Sequence, residues 1–176
     1  MKGSQLITLD FLKAHDACAE EQREFKRVFP DGGEYQQVLD RCADEDRMDF
    51  AQWLMKVCGP SDDVRTFDED FDEPDKNIAF AGTLYFKKGA NVKRILAGEG
   101  IEAGWGIKAG CGIKAGWGIK AGWGIEAGWG IEAGEEYGVF AGLSVAIPHW
   151  PQHAVVTAQT RPNNLISGFW KEKATC

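Results

Sequence analysis

Seven consecutive copies of a six-residue unit run from Ile95: ILAGEG, IEAGWG, IKAGCG, IKAGWG, IKAGWG, IEAGWG and IEAGEE. A short fixed period dictates architecture, because every copy must meet the same surroundings as the last. The copies also expose which positions are constrained. Position one is always isoleucine and position three always alanine, whereas position two is Leu, Glu or Lys and position five is Glu, Trp or Cys. A position that takes glutamate and tryptophan alike is not a packed core position. Ile95, Ile101, Ile107, Ile113, Ile119, Ile125 and Ile131 are therefore predicted to line the interior, with the alanines beside them.

Isoleucine and alanine stand two apart, so on a strand both point to one side and the residue between them to the other. Glycine at positions four and six brackets position five as a corner. Two glycines per hexad argue against a helix, since each costs about 1 kcal/mol relative to alanine. Short strand and corner in alternation predict a parallel β-solenoid. If three hexads close one coil, Glu102 lies over Lys120, Lys108 over Glu126 and Lys114 over Glu132, each pair opposite in sign. The same stacking aligns Trp105 with Trp123 and leaves Trp117 and Trp129 on other edges. A two-sided, twelve-residue coil fits the period as well.

Ahead of the repeat, apolar residues recur at helical spacing. Leu9 to Phe29 forms a broken helical stretch ending in the turn Phe29-Pro30-Asp31-Gly32-Gly33. Tyr35, Val38, Leu39 and Cys42 mark one helical face, and Phe50, Trp53, Leu54 and Val57 another. Asp49 is the expected cap of the last helix, and Gly59-Pro60 its stop. Three small helices are thus expected, too few for an independent core of any size. Residues 62–76 then hold eight acidic and two basic residues. Such a run repels itself and is expected to be a solvated connector. Asp68, Asp70 and Asp72 are spaced like the first ligands of a calcium loop, yet Glu73 stands where that loop needs glycine and Ala79 where it needs glutamate. After Gly142, Leu143–Ile147 and His153–Gln159 are strand-like, and Leu165, Ile166, Phe169 and Trp170 are expected to close the open end of the coil.

The net charge of −7 is uneven: residues 1–76 carry 10 basic and 20 acidic residues, the remainder 10 basic and 7 acidic. No basic stripe suits direct nucleic-acid binding, while an acidic front suits a basic protein partner. The five cysteines form no CxxC pair. No apolar span of membrane length and no apolar signal core is present, so a cytoplasmic location in a host cell is expected.

The repeat IEAGWGIKAG, followed by Val139-Phe140-Ala141-Gly142-Leu143, together with the front segments LDFLKAHDACAEE and MDFAQWLM, resembles glycine-rich, hexapeptide-period β-solenoid proteins of bacteria and prophages. The resemblance covers most of residues 6–143 and implies carriage on a mobile element. By analogy of type it points to inhibitors of bacterial defence, anti-CRISPR proteins among them. Hexapeptide acyltransferases share the period, but they set a small residue two before the aliphatic one and use a histidine base. Here that place holds Trp, Glu or Cys, and His149 and His153 fall outside the repeat.

The expected architecture is α+β: a helical subdomain (1–61), an acidic connector (62–76), a parallel β-solenoid or β-helix (77–142) and a C-terminal cap (143–176). The expected function is non-enzymatic inhibition of a host protein complex with a basic nucleic-acid-binding surface, by a monomer or homodimer. Asp68, Asp70, Asp72 and Glu73 would supply acidic mimicry, and Trp117, Trp123 and Trp129 contact area, since exposed tryptophan is enriched at binding hot spots. No catalytic, cofactor or metal residues are expected, and neither direct nucleic acid nor a membrane is an expected partner. The alternatives are a structural solenoid that self-associates through its tryptophan corners and an acyltransferase-like enzyme.

Overall fold

The computed structural model describes residues 5–173. Its N-terminal part is helical: α1 (Leu9–Ala14), α2 (Ala19–Val28), α3 (Tyr35–Asp44) and α4 (Met48–Cys58), with a small ribbon of β1 (Leu6–Ile7) and β2 (Gly33–Glu34). The broken stretch after Leu9 is thus two helices, giving four where three were expected. Thr8 caps α1, its hydroxyl accepting from the Phe11 amide at 3.1 Å. Asp49 does not cap α4; it lies inside the first turn, where its charge still suits the helix N-terminus. Gly59 ends that helix with φ +78°, a backbone conformation that favours glycine.

The rest of the described chain winds into a three-sided parallel β-solenoid. Its strands are β3 (Val64–Phe67), β4 (Phe71–Phe80), β5 (Thr83–Phe86), β6 (Ala90–Ala97), β7 (Ile101–Ala103), β8 (Ile107–Ala109), β9 (Ile113–Ala115), β10 (Ile119–Ala121), β11 (Ile125–Ala127), β12 (Ile131–Glu132), β13 (Val139–Phe140), β14 (Val155–Ala158), β15 (Leu165–Ser167) and β16 (Phe169–Glu172). Face I stacks β3, β5, β7, β10, β13 and β15. The first halves of β4 and β6 join β8, β11, β14 and β16 on face II, and their second halves join β9 and β12 on face III.

Ile119 pairs with Ile101, Ile125 with Ile107 and Ile131 with Ile113, so one repeat coil takes eighteen residues. Every repeat isoleucine is buried. Lys120 and Glu102 close an ion pair of 2.7 Å across one coil step, as do Lys114 and Glu132 at 2.7 Å. Lys108 stands beside Glu126 in register, but Glu126 is paired by Lys173 at 3.2 Å. Such exposed pairs contribute only a few tenths of a kcal/mol each, so burial of the isoleucine columns carries the stability.

Residues 62–76 are not a connector. They form most of the first coil through β3 and β4, and the corner lysines of the second coil disperse their repulsion. Lys87 pairs with Asp68 at 2.6 Å, and Lys88 pairs with Glu69. Arg65 and Glu73 occupy registers that Leu84 and Val92 fill one coil on. Charges in inward registers of a terminal coil discourage strands from adding to that edge. Arg65 lies over the Phe80 ring at 4.5 Å and grips Asp40 of α3 with two hydrogen bonds, 3.0 and 3.2 Å. The hexad signature is lost in this coil because its job is to end the stack.

The helices dock on the outside of face III. Ala79, Ala81 and Leu96 share the helical core with Leu39, Leu54 and Met55. Gln36 of α3 donates to the Ala79 carbonyl and accepts from the Ala81 amide, at 2.9 and 3.0 Å. At the other end, the described residues 143–173 close the coil by extending it. Among them, β14 to β16 continue faces I and II for two partial coils, and Leu165 and Trp170 pack over the interior. Leu143–Ile147 is not a strand; it belongs to an insertion that ends in a single helical turn, Trp150–His153. No described helix is long and apolar enough to cross a membrane.

Candidate functional site

The corner between faces I and II carries the most developed surface feature. In the coils of β7 and β10, this corner holds Trp105 and Trp123. Their indoles stack at 6.1 Å with planes 19° apart, and they remain 46% and 51% exposed. One coil earlier the corner is Lys87-Lys88-Gly89, and before that Asp68-Glu69-Asp70. One coil later the three-residue corner expands into residues 141–154. This insertion is held by the Trp150 indole N–H, which donates to the Val145 carbonyl at 3.0 Å.

The insertion rises beside face II and makes that face concave. The resulting groove of about 510 Å³ is walled by Trp105 and Trp123 and closed by Gln152 and His153. Its floor is the outward column Asp72, Asn91, Lys108, Glu126 and Thr157, one residue per coil. Insertions on a rigid scaffold are the usual place for binding residues.

The four acids singled out from sequence separate into two kinds. Asp68 is paired with Lys87, which raises the Lys87 pKa through the hydrogen bond and the charge of Asp68, and Glu73 is paired with Lys76 at 3.5 Å. Asp70 instead accepts from the Gly89 amide at 3.0 Å, and Asp72 from the Asn91 side-chain amide at 2.6 Å. Neutral donors orient a carboxylate without cancelling its charge. Asp70 and Asp72 therefore present net negative charge to the groove, and both line it together with Trp123. The calcium arrangement does not form: Asp68, Asp70 and Asp72 engage different partners, and among the described residues no cluster of His, Cys, Asp or Glu could hold a metal ion.

Trp117 and Trp129 are elsewhere. Trp117 lies on the corner between faces III and I, stacked on Tyr137 at 5.6 Å. Trp129 lies between faces II and III under the Arg94 guanidinium, 5.4 Å from the ring centroid. Trp105 was passed over in the sequence choice of contact residues, although the eighteen-residue stacking already placed it beside Trp123. Asn91 carried no signal, because it lies outside the hexads.

The comparisons with known proteins address the helical part. Residues 1–58 match the family model of the YdhT N-terminal domain. That match covers α1 to α4 and ends before β3. No curated protein and no solved structure matches the chain.

Proposed function

We propose that this chain is a non-enzymatic binding protein that docks on a basic, nucleic-acid-handling protein complex of a host cell and inhibits it. The observation that carries the proposal is the face II groove, where two carboxylates held only by neutral donors face a stacked pair of half-exposed indoles. Rigid aromatic anchors beside uncompensated charge suit recognition of a positively charged protein surface. The exposed acids of the first coil extend the same negative field beyond the groove. The origin on a phage or other mobile element, and a role against a defence system of the anti-CRISPR kind, belong to this proposal.

The test is capture from lysate of the host with the full chain and with Asp70→Asn/Asp72→Asn, scored with and without competing nucleic acid. Retention of a nucleic-acid-handling complex that free nucleic acid displaces, and that the double variant fails to hold, supports the proposal. Capture indifferent to both the variant and the competitor excludes it.

A further inference from the structure

Resting on that reading, we infer that the groove receives an arginine-bearing extended segment of the partner, with a guanidinium seated against Trp105 and Trp123 and paired to Asp70 and Asp72. The first support is adjacency. Gly89 separates the carboxylate from the indole and offers no side chain: a Cβ built there would lie 2.9 Å from Asp70 Oδ1 and 3.9 Å from Trp105 Cβ. A planar cation can thus touch the ring and the carboxylate together. The second is charge. Asp70, Asp72 and Glu126 outnumber Lys108 along the lining, so an anion is disfavoured and a cation favoured. Of these three acids, Glu126 already holds Lys173, whereas Asp70 and Asp72 accept from the neutral Gly89 and Asn91 donors.

The third support is that the molecule makes this contact with its own residues. At the first coil the Arg65 guanidinium lies over Phe80 while both of its terminal nitrogens bond Asp40. At the neighbouring corner Arg94 lies over Trp129. The groove presents the aromatic and the carboxylate halves of the same arrangement. Arginine suits it better than lysine, because its planar fork stacks on a ring while donating two parallel hydrogen bonds. An extended segment fits the shape, since the floor offers polar side chains at one strand spacing per coil.

Calorimetric titration of the full chain with a synthetic arginine–glycine repeat peptide tests this, alongside lysine–glycine and glutamate–glycine counterparts and a neutral oligosaccharide. The expected result is binding of the arginine peptide above the others. Trp105→Ala/Trp123→Ala should weaken it roughly tenfold. Asp70→Asn/Asp72→Asn keeps both acceptor atoms and the fold, and should weaken it similarly while flattening its salt dependence. Equal binding by parent and variants overturns the inference, as does equal binding of arginine and lysine peptides or preference for the oligosaccharide. The two proposals separate cleanly. If Trp105→Ala/Trp123→Ala still captures the host complex, the groove assignment fails and the binding function stands; if the parent binds the arginine peptide but captures no such complex, the reverse holds.

Discussion

A Cβ placed on Gly128 would stand 1.9 Å from the carbonyl oxygen of Gly110, one coil away. Adjacent coils approach backbone to backbone at hexad position four, and Gly116, Gly122 and Gly134 show the same distance to within 0.1 Å. None of these glycines has positive φ. The requirement is room, not conformational freedom.

Gly128→Ala should therefore lower stability by more than about 2 kcal/mol, because the atoms it would meet are the backbone of Gly110 and Cys111, not a flexible side chain that could yield. Gly130 has no atom within 4 Å of a built Cβ. Gly130→Ala should be neutral or stabilising by up to about 1 kcal/mol through the unfolded chain. Thermal melts of the two variants check the contrast, and equal melting temperatures would refute it.

Within β10, adjacent residues should differ sharply. Ile119 is fully buried between Ile101 and Val139, so Ile119→Ala should cost about 2–5 kcal/mol. Lys120→Ala loses only an exposed ion pair with Glu102 and should change stability by less than about 1 kcal/mol. Urea unfolding of both variants gives the comparison.

Leu96 breaks the Glu/Lys rule of hexad position two because it faces the helices and is buried there. Leu96→Glu restores the repeat consensus yet buries a charge. It should weaken docking of the helices by more than about 2 kcal/mol. Hydrogen exchange should accelerate across α3 and α4 while the amides of β7 to β11 keep their protection. Unchanged exchange in both regions would show that this contact does not hold the two parts together.

Asp46 links the same two parts, accepting from Lys93 at 2.7 Å and from Asn77 at 2.9 Å. The Lys93 hydrogen bond and then that of Asn77 hold its pKa below the ordinary 3.8. A lowered folded pKa adds stability above the unfolded value, and that stability fades as pH falls through the folded one. Acid should thus loosen the helices from face III starting near pH 4 and continuing below it. Asp46→Asn should remove this part of the pH dependence, as read by exchange or melting between pH 3 and 6.

The hexads alone made the solenoid legible. An invariant isoleucine and a tolerant fifth position separate inside from outside, but they fit an eighteen-residue and a twelve-residue coil alike; the pairing of Ile119 with Ile101 decides for eighteen. The first coil was illegible because an end coil obeys different physics. Arg65 and Glu73 hold inward registers there, since beyond them lies no further coil to exclude water. The tail was legible only in part: Leu165 and Trp170 close the coil as expected, but Val156 and Trp170 continue the Ile125 column without any hexad around them to announce it.

Local sequence determined the strand rhythm, the helices and the side of each strand that is apolar, because these depend on neighbours within a few residues. Only the folded chain decided that Asp68 is paired with Lys87 while Asp70 and Asp72 bond to neutral donors, and that Trp123 shares a groove with them while Trp117 and Trp129 do not. Those outcomes turn on which residues lie one coil away and around which corner, and such distances are set by the closure of the coil, not by spacing along the chain.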